Sequence, residues 1–486
     1  MTTPPVPISP SSKAKAPASP SEGWVLTALL VIGSTATILG TLLGEQQGLS
    51  VLQAWSSELL AAVSVLALVA MIAGLALFHA AEGAAIGAIL ERLLIAVGVV
   101  VLLWILFGYS VTQTGSGNDV IGRFSKALLA QVRADSRVST YTVGFAISEF
   151  SYVIFQGGLA AIAALLTIGA LAARMKLVAI AVFVPLWATL IYFPILHMVW
   201  YWSGPDAIAD ASRALATAAD APAKMAAQVR LDETIADAGW LFKKGLLDYA
   251  GGTVIAVTAG VGGLAGFIVL QNSKAGASPD NRQPISASGT LGIALMWLAW
   301  LGINAASNLD FGDAATKLAV ANCFAATGAA AVAGAAIEWL MRGQSSLRAV
   351  SYGALAGIVA MAPAAAFAGS RGAIIVGVCA GVVALSAINA RRASGLGALP
   401  DIPAILLAAG LIGTLATAIL ASPSFGGTGV MDYTTGKIGD YDVATQMMAQ
   451  CLGAGVTLLW AGLGALILFK LIDLSIGLRP VQSARS

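Results

Sequence analysis

The sequence predicts an all-α polytopic membrane protein, a bundle of about twelve membrane-spanning helices arranged as two inverted repeats. Three observations predict it. Of 486 residues, 58% are hydrophobic and 10% charged, against about 25% charged in an ordinary soluble protein, so most of the chain must face lipid or other apolar helices. Apolar runs close to the ~20 residues that a helix needs to cross a bilayer recur along its whole length. Two carboxylates, Asp248 and Asp401, open two of these runs, each followed by glycines (Gly251, Gly252 and Gly260; Gly410 and Gly413). That is the weak internal symmetry of inverted repeats with a path between them at the bilayer midplane.

Taken in order, residues 1–22 hold six prolines, five serines and two lysines with almost no large apolar side chain, a composition that buries no core and predicts a disordered cytoplasmic tail. The run Trp24 to Gly44 is longer than the 7–15 residues of a signal-peptide core and reads as an extra N-terminal spanning helix. Further runs follow at 58–80, 91–111, 146–172, 177–200, 248–271, 288–309, 314–341, 349–368, 372–390, 402–421 and 443–475. The loops on one side carry Lys13 and Lys15, Arg92, Arg174 and Lys176, Lys274 and Arg282, Arg342 and Arg348, Arg391 and Arg392, and Arg479 and Arg485. By the positive-inside rule that side is cytoplasmic, which puts a multi-pass protein in the cell (inner) membrane with both termini inside. The transmembrane domain is thus 23–479, followed by a short cytoplasmic tail at 480–486. Within it, the extracellular insertion 203–245 is alanine-rich with six acids and five bases, a pattern of one or two exposed helices. It reads as a solvated cap, with a lid or docking surface over the pore mouth as the alternative.

A net charge of +2 gives no reason to expect nucleic acid. Cys323, Cys379 and Cys451 lie apart in apolar segments without metal-ligand spacing, so they read as packing residues and no metal or cofactor is expected. Gly262 and Gly266 form a small-residue face suited to close helix contact. No hydrolytic, phosphate-binding or redox motif is present, so no enzyme is expected. Asp248 and Asp401 suit helix capping, where a carboxylate accepts backbone N–H bonds and favours the helix dipole.

The stretch from Asp248 to Gly260, Asp-Tyr-Ala-Gly-Gly-Thr-Val-Ile-Ala-Val-Thr-Ala-Gly, resembles the mid-pore helix of the ammonium transporter (Amt/Mep/Rh) family, Asp-[Phe/Tyr]-Ala-Gly-Gly-Thr-Val-Val-His-Ile-Asn-Ala-Gly. Other stretches resemble the family in the same order: Trp55 to Phe78, Trp104 to Ser110, Phe155-Gln156 with Ile168 to Arg174, Tyr192 to Trp200, Trp300 to Ser307, and Asp473 to Arg479. The likeness runs from Leu52 onward. It implies a homotrimer in a lipid bilayer with one pore per subunit, carrying ammonium, ammonia or a similar small, weakly polar molecule. By resemblance, Trp200 and Ser307 match the outer recruitment site, Leu159 stands where the family has Phe, Asp248 supports the site from beneath, and Gln156 lies beside it. Phe155 and Asp401 belong to the pore, and Ile303 replaces the second gate aromatic.

The deepest departure is the pore's histidine pair, whose positions are Ala256 and Leu406. The chain's two histidines, His79 and His197, lie in other helices and read as packed or interfacial. Side chains with neither donor nor acceptor leave an ammonium ion dehydrated and unpartnered, which is costlier than the roughly 2–7 kcal/mol of an unpaired neutral polar group. The expectation is therefore passage of a neutral species without proton-coupled current; the alternative is a non-conducting sensor or scaffold that keeps only the outer binding site. With seven residues after Arg479, no signalling module and no control by a PII-type regulator are expected.

Overall fold

The computed structural model describes residues 49–115, 117–272, 285–393 and 400–480. The expected tail 1–22, the run Trp24 to Gly44 and the segment 481–486 lie outside the described residues. Contacts divide the chain into Met1–Leu52 and Gln53–Ser486; of the first unit only the beginning of the first described helix is included, and the bundle belongs to the second.

Eleven helices among the described residues are long and apolar enough to cross a membrane, against about twelve expected, the remaining one being Trp24 to Gly44. They are α1 (Leu49–Ala81), α2 (Ile86–Gln113), α3 (Glu149–Ala172), α4 (Leu177–Trp200), α7 (Gly252–Leu270), α8 (Ala287–Ala306), α9 (Ala314–Arg342), α10 (Leu347–Ala364), α11 (Ser370–Ala393), α12 (Asp401–Leu420) and α13 (Val443–Ser475). The insertion forms two further helices, α5 (Pro205–Thr217) and α6 (Ala221–Ala236). Two short antiparallel hairpins, β1–β2 (Arg137–Ser139 with Ala146–Ser148) and β3–β4 (Met431–Asp432 with Lys437–Ile438), lie at the same end as the insertion.

The most buried spans are α3 and α7, each 83% buried over its most apolar window, whereas α1, α2 and α13 are 39% buried and α9 33%. The first two therefore form the centre and the others the rim. Small residues permit that centre. A methyl group built on Gly266 would lie 2.4 Å from Leu171 Cδ1 of α3, and one on Gly262 3.1 Å from Thr167 Cγ2. Along α12, a methyl on Gly410 would meet the Gly252 carbonyl at 2.9 Å, one on Gly260 the Leu407 nitrogen at 2.6 Å, and one on Gly263 Pro403 Cγ at 3.1 Å. As α7 ascends in number α12 descends, so the two helices are antiparallel and their leading carboxylates sit at opposite ends of the bundle. This is the arrangement expected of inverted halves.

Basic residues gather at the end away from the insertion. Arg92 Nε donates to the Met175 carbonyl at 3.2 Å, Lys176 Nζ to that of Ile476 at 2.7 Å, and Arg479 to that of Leu270. Three spans contain a π-turn: Trp104–Gly108 in α2, Ala188–Tyr192 in α4 and Gly252–Val257 in α7. Such breaks survive at membrane depth where protein surrounds them. Cys323 is buried, while Cys379 and Cys451 lie on exposed faces of α11 and α13, which corrects the packing role expected for those two. His197 is packed: its Nδ1 bonds the Thr112 carbonyl at 3.1 Å and its ring stacks on Tyr201 with centroids 4.7 Å apart.

Candidate functional site

Two changes of conformation create the floor of the site. The segment from Asp248 is not yet helical: Gly251 has φ +94°, and a Cβ there would also meet Ile255 Cδ1 at 2.7 Å, so only glycine fits. The backbone N–H groups of Tyr249 and Ala250 donate to the carbonyls of Pro363 and Ala362, where α10 ends in a tight turn. The span then begins at Gly252, four residues later than the sequence implied. Its unpaired N–H groups converge on Asp248, which is 7% exposed. Oδ1 accepts from the nitrogens of Gly251 (2.9 Å) and Gly252 (2.6 Å); Oδ2 accepts from those of Thr253 (2.8 Å) and Val254 (3.0 Å) and from the Thr253 hydroxyl. The carboxylate is committed to the backbone and does not line the recess above it.

Its carbonyl holds the next piece in place, because Trp200 Nε1 donates to the Asp248 oxygen at 2.6 Å. With the indole N–H thus occupied, Trp200 offers its ring. Trp200, Ser307, Gln156, Leu159 and Phe155 line one open recess. The Ser307 hydroxyl donates to the Ile303 carbonyl at 2.8 Å and keeps its lone pairs for the recess. Gln156 Nε2 donates to Tyr152 Oη at 3.3 Å, and that hydroxyl donates to Gln113 Oε1 at 2.9 Å. Gln156 Oε1 and Tyr249 Oη are buried with no hydrogen-bond partner among the described residues.

Tyr152, Tyr249 and Tyr141 also line the recess, and sequence reasoning passed over all three. Tyr152 stands one turn before Gln156 and Tyr249 directly follows Asp248, so helical spacing and adjacency were available signals. Tyr141 had none, since it arrives on the β1–β2 hairpin. Tyr141 is 38% exposed and presents a ring and a hydroxyl to the recess. The insertion is tied to the same hairpin and to its neighbour: Asp206 of α5 accepts from Ser139 Oγ and the Gly144 nitrogen, both at 2.7 Å, and Ser212 Oγ donates to the Thr434 carbonyl at 2.8 Å. Tyr433 Oη in turn donates to the Tyr141 carbonyl at 2.9 Å.

Below the recess the chemistry changes. Leu159, Phe155 and Ile303 border a crevice against Val63 and Ala67 of α1 that is too narrow for a water-sized particle. Ala256 and Leu406 are both fully buried. Ala256 lies in the π-turn of α7, where a methyl on Gly410 would sit 3.0 Å from its Cβ. The nearby Thr258 hydroxyl donates to the Thr253 carbonyl five residues back at 2.9 Å, a partner that the π-turn's wider ladder supplies. Asp401 is not beside these residues: it heads α12 at the far end, accepting from Tyr352 Oη at 3.0 Å, and lines neither the recess nor the crevice.

In sequence and in fold the chain is similar to known proteins. The Ammonium Transporter Family model matches residues 59–485. The chain is 30% identical over 385 residues to the ammonium transporter Amt1 of Archaeoglobus fulgidus, covering 78% of this chain and 82% of that protein. It is also 30% identical over 402 residues to the ammonium transporter of Mycobacterium tuberculosis, covering 79% and 77%. Among solved structures, Mep2 of Saccharomyces cerevisiae superposes with a TM-score of 0.68 at 22% identity, over 88% of this chain and 87% of that one. A sensor Amt protein superposes with a TM-score of 0.69 at 20% identity, over 88% and 95%.

Proposed function

This chain belongs to the ammonium transporter family, and from that premise we propose that it recruits ammonium at the aromatic recess and passes only the neutral molecule, ammonia or a similarly small and weakly polar species. One observation carries the reading. Trp200, Gln156 and Ser307 share a single recess, while Ala256 and Leu406, fully buried on α7 and α12, offer neither donor nor acceptor. A cation gains from the ring faces and lone pairs above. It then meets an apolar layer in which an unpaired charge is far more expensive to desolvate than a neutral polar group. Ammonia crosses that layer at much lower cost.

The assembly we infer is a homotrimer in the inner membrane, with both termini and the basic end of the bundle in the cytoplasm and the insertion outside. No role for a PII-type regulator is inferred, and Asp248 acts as the support of the recess rather than as a proton carrier.

The second reading, a sensor or scaffold that binds without conducting, is favoured by the crevice at Leu159 and Ile303, which is narrower than a water molecule. Purified protein in liposomes loaded with a pH-sensitive dye separates the two. Transport of ammonia alkalinises the lumen after an ammonium jump faster than in empty liposomes; binding of ammonium with alkalinisation equal to that of empty liposomes assigns the sensor role.

A further inference from the structure

The chain's two histidines differ in what their rings leave unused. His197 is bonded to a backbone carbonyl and stacked on Tyr201. His79, in the last turn of α1 at the basic end, has a side chain only 7% exposed; its Nδ1 lies 2.9 Å from Glu82 Oε2, and Glu82 is 48% exposed. The ring meets Phe78 edge-on at 5.1 Å. Its Nε2 is buried with no hydrogen-bond partner among the described residues.

This geometry fixes the chemistry of the neutral ring. A carboxylate only accepts, so Nδ1 carries the hydrogen that bonds Glu82, and Nε2 holds a bare lone pair. Buried polar atoms are normally partnered, and a partly exposed carboxylate orienting a buried imidazole is the arrangement of a positioned acid or base. The surroundings place it at the end of the bundle opposite the recess, near the head of α12. The Phe78 ring lies 6.3 Å from that of Tyr352, whose hydroxyl donates to Asp401 at the head of the helix that carries Leu406. Arg174, at the end of α3, and Tyr352 both feel the charge of Glu82, while Arg348 and Asp401 act on Tyr352 from α10 and α12.

We propose that His79, oriented by Glu82, is a proton-exchange site for ammonia at the basic end of the pore, a task that the midplane positions Ala256 and Leu406 have no chemistry to perform. The proposal rests on the reading that a neutral species crosses. Ammonia arriving at the mouth takes the Nε2 proton of the imidazolium and leaves as ammonium. The neutral Nδ1–H ring remains, and hydronium on that side returns a proton to it, becoming water. One N–H bond breaks as another forms, and nothing is oxidised or reduced.

Two histidines make the test direct. Protein labelled with ¹⁵N-histidine in lipid nanodiscs is titrated with ammonium chloride, and His79→Gln and Glu82→Gln are compared in the dye-loaded liposomes. The expected result is that the His79 ring signals move with ammonium while those of His197 stay, and that Glu82→Gln shifts the His79 tautomer. His79→Gln should slow alkalinisation by about tenfold, less than the ~10²–10⁴-fold of a positioned acid or base because water supplies part of the exchange. Methylammonium binding at the recess should not change. His79 signals indifferent to ammonium, with parental flux in both variants, would overturn the proposal. If the parent protein passes no ammonia, the transport reading fails, and the titration decides alone: signals that move with ammonium uphold the site and unmoved signals end it. Should His79→Gln not fold, Glu82→Gln at its half-exposed position carries the flux comparison.

Discussion

The floor of the recess at Asp248 and the packed position Ala256 lie eight residues apart, just before and just inside the start of α7, yet they are opposite environments. In the first, five N–H and O–H donors converge on one carboxylate, a tryptophan is anchored by its edge, and two oxygens are left without partners. In the second, an alanine is pressed toward a glycine of α12 and the nearest hydroxyl is spent on its own backbone. Under the proposed function, attracting a cation and handling its proton are separate tasks: the recess offers ring faces and lone pairs for the first, and the side chains of Ala256 and Leu406 offer neither donor nor acceptor for the second.

The largest expected effect comes from removing what holds the recess up. Asp248→Ala would leave four backbone N–H groups and a hydroxyl without their acceptor. At about 1–3 kcal/mol for each buried unsatisfied group, the sum is comparable to the whole stability of a typical domain, ~5–15 kcal/mol. The variant should fail to give a folded, detergent-stable protein, whereas Asp248→Asn, which keeps one acceptor oxygen, should fold with a lowered Tm. A melting temperature within a few degrees of the parent for the alanine variant would mean that the floor is held by something else.

The next effect sharpens the contrast from below. Ala256→His combined with Leu406→His places imidazoles at the two positions where the sequence resemblance implies the family's histidine pair. With Ala256 this close to Gly410, inserting a ring should cost about 1–3 kcal/mol by overpacking. Thermal melting should fall, and an ammonium jump should produce no current. A stable double variant that conducts would show that the midplane is a vacant pore rather than a packed layer.

The smallest effect belongs to the ring. Trp200→Leu removes a cation–π attraction of about 0.5–2 kcal/mol, so ammonium or methylammonium should bind roughly 2–30-fold more weakly by calorimetry. The ammonia flux should change little. Tight, saturable binding that survives the substitution would place the recruitment site elsewhere.

How much of this was legible beforehand follows from which features are local. The spans could be read from apolar runs, because a bilayer imposes a length on each one; α13 was expected at 443–475 and occupies Val443–Ser475. The likeness around Asp248 drew Trp200, Gln156, Leu159 and Ser307 together although they come from α4, α3 and the end of α8. Tyr141 could not be found this way, since its place depends on a hairpin held by Asp206 and Tyr433 from distant loops. The π-turns escaped for a similar reason: the shift from i→i+4 to i→i+5 bonding is decided by neighbouring helices, as where a Cβ on Gly252 would meet Pro363 Cγ at 2.7 Å. His79 reads from the sequence as a packed or interfacial ring, because the sequence gives no sign that one nitrogen is held by Glu82 and the other lacks a partner among the described residues.

The most direct test of the central claim is electrical. Proteoliposomes adsorbed on a solid-supported membrane are given an ammonium jump, and the charge moved is recorded beside the dye-reported pH change. Passage of a neutral molecule across an apolar midplane predicts lumen alkalinisation with no transient current above that of protein-free liposomes. A saturable current comparable to that of a histidine-bearing relative under the same conditions would contradict it.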